Sequence, residues 1–165
     1  MKRHAYCILA HTEPDLFCRL VSVLDDPRND IFVHVDKRTD ITPFLKAKCS
    51  NSKLIFTSKR IKCCWGTVKQ IQAELVVFGE ARSHGPYEYY HLLSGQDLPI
   101  KSQDYIHQQT EDNPGINYIG FANESSSKDL LYFKAGRDNV GSARKRARRV
   151  PVPRKRPTLV PVAVA

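Results

Sequence analysis

Short apolar runs alternate with longer stretches of helical period along this chain. Residues 5–10 (AYCILA) read as a buried strand, ended by His11-Thr12. Thr12 is placed to cap a helix that Glu13 and Pro14 open, with Leu16, Leu20, Val23 and Leu24 on one face, up to Asp25-Asp26-Pro27. Residues 31–35 (IFVHV) read as a second buried strand, ending in Asp36-Lys37-Arg38. Thr42 is expected to cap a short helix through Lys48, residues 54–56 (LIF) to form a third strand, and residues 61–64 a shorter extended piece. A longer helix is predicted over 67–83, because Val68, Ile71, Leu75, Phe78 and Ala81 recur with helical period before Gly85-Pro86 stops it. Residues 89–93 (YYHLL) form the next strand, which breaks into Ser94-Gly95-Gln96-Asp97 ahead of Pro99. Ser102 should cap a helix through Gln109, Asn113-Pro114-Gly115 should turn, and residues 116–121 should form a last strand.

Strands alternating with helices imply an α/β fold, a mainly parallel sheet with helices on its faces. In such sheets ligands bind outside the carboxyl ends of the strands. Four predicted strand ends carry polar or small residues: His11, Asp36-Lys37, Trp65-Gly66 and Ser94 to Asp97. Each has a plainer reading. His11 can cap locally, Asp36 can simply end a strand, Trp65 can belong to the core or its rim, and Gly95-Gln96-Asp97 can be a tight turn. Their recurrence at successive strand ends favours one shared site. His34 and Asp36 fall on one strand face, but two ligands do not make a metal site.

Charge changes the picture once it is located. The formal net charge is +9 over 165 residues. Residues 134–165 hold ten Lys and Arg against one acid, Asp138, so the whole excess belongs to this tail and residues 1–133 balance. The tail has no aromatic residue and four prolines, and is expected to be disordered. Its runs 144–149 (RKRARR) and 154–156 (RKR) would contact any polyanion non-specifically, with no aromatic interleaved for base stacking. That is the alternative, binding-protein reading. Five cysteines without a C-x-x-C spacing read as reduced thiols of a cytoplasmic protein. No stretch reaches the roughly 18 apolar residues of a membrane span.

Familiar phosphate cradles are absent: there is no G-x-G-x-x-G and no G-x-x-x-x-G-K-S/T, nor any H-E-x-x-H or G-x-S-x-G. Instead four stretches, AYCILAH (5–11), IFVHVDKR (31–38), WGTVKQIQAEL (65–75) and YYHLLSGQDLPIKS (89–102), resemble in order and spacing the N-terminal half of the core-2/I-branching glycosyltransferases. That family includes β-1,6-N-acetylglucosaminyltransferases and peptide O-xylosyltransferases. Thr67 departs from the second glycine frequent there.

The resemblance implies a GT-A-like nucleotide-sugar fold. It implies a UDP-sugar donor carrying N-acetylglucosamine or xylose, a glycan or peptide hydroxyl as acceptor, and inverting transfer. No cofactor or metal is implied; the chain has no D-x-D at a strand end. By the same resemblance His11 and Asp36 line the nucleotide pocket, while Trp65, Gly66, Ser94, Gly95, Gln96 and Asp97 border the donor sugar. The catalytic base and the diphosphate cations lie further along in the family, so no residue here is assigned as catalytic. Beyond Phe133 the likeness stops, and the Arg/Val/Pro-rich remainder reads as a frame change. The expectation is a truncated domain over 1–133, a tail over 134–165, and an inactive or purely nucleotide-sugar-binding fragment. It would be cytoplasmic or, as anchored relatives suggest, membrane-associated.

Overall fold

The structure is a computed structural model that describes residues 3–64 and 66–118. Among the described residues four strands, β1 (His4–Ala10), β2 (Asn29–Val35), β3 (Lys53–Phe56) and β4 (Tyr89–Ser94), build one sheet in the order β3-β2-β1-β4. Every pairing is parallel. Three helices alternate with them: α1 (Pro14–Leu24), α2 (Val68–Ser83) and α3 (Gln103–Asp112). The α/β class and the parallel sheet are therefore as the pattern predicts, in the arrangement expected of a GT-A-like fold. The tail over 134–165 and its boundary at 133 lie outside the described residues.

The central strands β1 and β2 are buried on both faces, which requires their near-continuous apolar runs. On one face Tyr6, Ile8, Ala10, Ile31, Val33 and Val35 meet α1 and the short 3-10 turn Phe44–Lys46. On the other, Ala5, Cys7 and Phe32 meet Val77 and Ala81 of α2.

Both long predicted helices are present but rotated from their expected faces. In α1 the buried residues are Phe17, Leu20, Val21 and Leu24, while Val23 is 47% exposed. The helix has six apolar positions, so period alone permits two faces; packing on the sheet selects the one with the large Phe17. Its N-cap is Glu13, in a left-handed conformation (φ 51) with no side-chain cap, and not Thr12. In α2 the expected Val68, Ile71 and Leu75 are exposed, whereas the expected Ala81 is buried and Phe78 packs beside it, joined by Ala73 and Val77. Thr67, the departure from the family pattern, is the N-cap of α2, its hydroxyl accepting from the Lys69 N–H at 3.3 Å.

Ser102 caps α3 as predicted, accepting from the Tyr105 N–H at 3.3 Å. Thr42 does not cap a helix; its hydroxyl donates to Asp40, and the turn that follows is capped at Pro43. Residues up to Pro114 form one compact unit. Residues 116–118 have no regular structure, and the rest of the strand expected over 116–121 lies outside the described residues. Among the described residues no helix is long and apolar enough to cross a membrane.

α3 is held by an unusual interior. Its buried residues are Gln103, His107 and Thr110, all polar. Tyr6 donates to Gln103 Oε1 at 2.9 Å, and the Asn29 amide donates to the same oxygen at 2.9 Å. His107 Nε2 lies 2.9 Å from Asn29 Oδ1, and the His107 ring stacks on His4 with centroids 4.0 Å apart. His4 in turn meets His91 (3.1 Å) and the Thr110 hydroxyl (3.3 Å). Buried polar groups are costly unless they are paired, and these pair with one another, except for Gln103 Nε2, which is buried without a hydrogen-bond partner.

Candidate functional site at the carboxyl edge of the sheet

Because all four strands run the same way, their carboxyl ends gather on one edge. A cavity of about 450 Å³ opens there. The end of β1 contributes Leu9, Ala10 and His11; β2 and its following loop contribute His34, Asp36 and Arg38; β4 contributes Leu92, Leu93 and Ser94. Cys63 and Cys64 form one wall, and Gln70 and Glu74 reach it from the first turns of α2. The volume falls within the roughly 300–1,000 Å³ of small-molecule sites.

Three of the predicted residues, His11, Asp36 and Ser94, thus come together from three different strands. His11 is exposed at the mouth. Asp36 is 3% exposed and accepts four hydrogen bonds. Its Oδ1 takes the Arg38 N–H and Nε–H, and its Oδ2 takes Arg38 Nη2 and the Cys63 N–H, at 2.8 to 3.1 Å. Burial pushes the carboxyl up, but the Arg38 and Cys63 hydrogen bonds outweigh it and hold it below the ordinary carboxylate range. Asp36 is therefore an anion that shapes its own loop.

The other predicted residues play different parts. Gly95 is buried and lies against the end of β1, its N–H donating to Leu9 O at 2.8 Å. A Cβ there would stand 3.0 Å from Ala10 Cβ, so only glycine lets the loop sit this close. Asp97 closes the turn, accepting the Ser94 N–H at 2.7 Å, while Gln96 is exposed. Neither Gln96 nor Asp97 lines the cavity. Gly66 stands outside it as well, with φ 68, which a residue with a side chain rarely adopts. Trp65 lies outside the described residues.

Arg38, Cys63, Cys64, Gln70 and Glu74 were not singled out as site residues by strand-end reasoning. The signal for the cysteines was weak, since 61–64 is not a strand but is stitched beside β2. The Arg60 guanidinium helps hold this corner, donating to the carbonyls of Val35 (3.0 Å), Asp36 (2.6 Å) and Thr39. Among the described residues no group of three or more His, Cys, Asp or Glu is arranged to hold a metal ion.

Comparison with known proteins places this edge in context. Over 128 residues the chain is 27% identical to a pig (Sus scrofa) probable beta-1,3-galactosyl-O-glycosyl-glycoprotein beta-1,6-N-acetylglucosaminyltransferase 7, a stretch covering 68% of this chain and 29% of the relative. Over 102 residues it is 30% identical to the human (Homo sapiens) beta-1,3-galactosyl-O-glycosyl-glycoprotein beta-1,6-N-acetylglucosaminyltransferase 3, covering 59% of this chain and 23% of the relative. The chain thus spans less than a third of the length of either. The model of the Core-2/I-Branching enzyme family matches residues 4–138, which takes in every strand and helix among the described residues and the described walls of the cavity. The chain belongs to the Core-2/I-Branching enzyme family.

Proposed function

We propose that the cavity at the carboxyl edge binds the nucleotide part of a UDP-sugar, as the donor side of a glycosyltransferase domain. The observation that carries this reading is the convergence of His11, Asp36 and Ser94 from three strands onto one cavity of nucleotide-sized volume. The apolar side chains of Leu9 and Leu92, on the same face of the sheet, suit the face of a base, and the polar rim suits a ribose. Gly95 lets the Ser94 loop approach, and Gly66 sets the turn ahead of α2, on the sugar side of the reading.

The reaction is transfer of N-acetylglucosamine or xylose to an acceptor hydroxyl, with inversion and without a metal. N-acetylglucosamine is the sugar named for both relatives above. Inverting transfer needs a base for the acceptor proton and cations for the departing diphosphate. Asp36 is a poor base, since Arg38 and the Cys63 amide already occupy its oxygens. Among the described residues, His11, Asp36 and Ser94 are read as acting in donor binding, and binding of UDP-sugar without turnover is the expected behaviour.

Isothermal titration of the full chain with UDP, UDP-N-acetylglucosamine and UDP-xylose tests the reading, with Asp36→Ala as control. Binding by the wild type and at least tenfold weakening by the variant are expected. No binding of UDP removes the basis of the proposal; release of free sugar or transfer to an acceptor would show that this chain contains a base.

A further inference from the structure

One wall of the cavity is held in place by side chains standing in for backbone. Residues 61–63 run beside the carboxyl end of β2 and exchange hydrogen bonds with it in strand-like alternation. The Ile61 carbonyl accepts the Lys37 N–H at 3.0 Å, and the Cys63 carbonyl accepts from Arg38 Nη2. The two amides find no carbonyl. The Ile61 N–H donates to His34 Nε2 at 2.8 Å, and the Cys63 N–H donates to Asp36 Oδ2 at 3.0 Å. Where the ladder ends, an imidazole and a carboxylate supply the acceptors. The wall that results, Cys63 and Cys64, lines the cavity together with Leu9 to His11 and Ser94.

The two acceptors differ in one respect. A carboxylate accepts throughout the neutral range, whereas an imidazole accepts at Nε2 only while that nitrogen keeps its lone pair. An amide can only donate, so the contact fixes His34 as the neutral ring protonated at Nδ1. Adding a proton to Nε2 sets donor against donor at 2.8 Å inside a site where His34 is 1% exposed.

We infer that His34 is a positioning residue, whose neutral ring holds the 61–64 wall in the geometry that admits the nucleotide, and that protonating it releases the wall. The inference rests on the nucleotide reading for its functional consequence, but the hydrogen bond itself does not. The charged groups that act on the ring are Asp36 from its own loop and Arg60 just ahead of the wall, and Arg38, Cys63, Cys64, Glu74 of α2 and His11 at the end of β1 line the same cavity. Burial lowers the His34 pKa, outweighing a backbone hydrogen bond and the Asp36 charge that raise it, with Arg60 acting in the same direction as burial. The neutral ring, and with it the wall, therefore persists as pH falls through the ordinary histidine value of 6.5 and is lost at a lower pH.

The test compares wild type, His34→Gln and His34→Leu in the full chain. A glutamine offers an amide oxygen to Ile61 and does not titrate; a leucine offers nothing. UDP affinity is followed by titration calorimetry from pH 8 downward. Exchange of the 61–64 amides is followed by hydrogen–deuterium mass spectrometry at the same pH values. Wild-type affinity should hold to below about pH 6.5 and then fall about tenfold per pH unit. His34→Gln should follow a flatter course, since it shares the ligand's own titration but not that of the ring. Protection of 61–64 should fall with acid in the wild type and not in His34→Gln, and be weak throughout in His34→Leu. If the leucine variant does not fold, wild type against glutamine decides alone. Identical pH courses for those two, in both affinity and exchange, would overturn the inference. Absence of UDP binding at pH 8 would sink the nucleotide reading instead, and the exchange data would still decide the role of His34.

Discussion

Replacing Gly95 by alanine adds one methyl group at a place where the geometry leaves no room. The new Cβ would lie 3.0 Å from Ala10 Cβ, 3.2 Å from Ala10 Cα and 3.6 Å from Leu9 O. Carbon atoms rest at about 3.5–4.0 Å, so two contacts are too short by several tenths of an ångström. Both belong to Ala10 at the carboxyl end of the interior strand β1, one a backbone atom and the other a Cβ fixed to it, so neither can rotate away. The loop must lift, straining the 2.8 Å bond from the Gly95 N–H to Leu9 O. Overpacking of this size costs about 1–3 kcal/mol. The smaller unfolded-state entropy of alanine returns about 0.4–1 kcal/mol, because φ at Gly95 is not in the left-handed region. The net expectation is destabilisation by roughly 1–2 kcal/mol and a melting point lower by something on the order of 5–10 °C. A double-mutant cycle isolates the cause. Ala10→Gly removes the nearest opposing atom, so it should be less harmful by about 1 kcal/mol in the Gly95→Ala background than in the wild type. Urea denaturation of the four proteins measures this. An unchanged melting point for Gly95→Ala, or additive effects in the cycle, would refute the close-approach account.

Acid should weaken the fold before its carboxylates titrate. Burial, His107, His91 and Arg28 lower the His4 pKa to about 3, and burial and His107 lower that of His91 to about 4. The unfolded chain takes up these protons near 6.5, so the stability is complete above that pH and is lost as pH falls toward the folded values. At pH 4.5 the two histidines together should have removed roughly 5 kcal/mol, seen as a falling urea midpoint between pH 7 and 4.5. A flat midpoint over that range would contradict the buried network, and His91→Gln should reduce the slope. The helix register of α1 is checked by Phe17→Ala, expected to cost about 3–5 kcal/mol, against Val23→Ala, expected within about 0.5 kcal/mol of wild type; similar losses would restore the face first read from the pattern.

The strands were legible because each is a short, dense apolar run bounded by turn residues, and runs of that kind must be buried somewhere. Helix faces were less so. Leu16, Phe17, Leu20, Val21, Val23 and Leu24 support two faces equally, and only the sheet beneath α1 chooses. In α2 Phe78 and Ala81 were read on the right side, but Val68, Ile71 and Leu75 misled, since the sheet takes Ala73 and Val77 instead. His11, Asp36 and Ser94 were readable as site residues because strand ends can be located one at a time. Glu74, Gln70 and the cysteine wall were not, since their place depends on how α2 and residues 61–64 return to β2. The polar interior under α3 was hidden for a related reason. Nothing local marks His4, Asn29, Gln103 and His107 as partners when most of the described unit separates them.

The strand order has a consequence for how this chain reaches its fold. β1 is made first, yet it sits in the interior of the sheet, and its second neighbour is β4, the last strand of the described sheet. Parallel pairing of this kind joins distant residues, His4 with Tyr89, and such contacts form slowly because a long loop must close first. During synthesis one flank of β1 therefore waits, apolar and with its backbone groups unpaired, until residues 89–94 arrive. That interval is when a nascent chain is most open to pairing with another copy of itself.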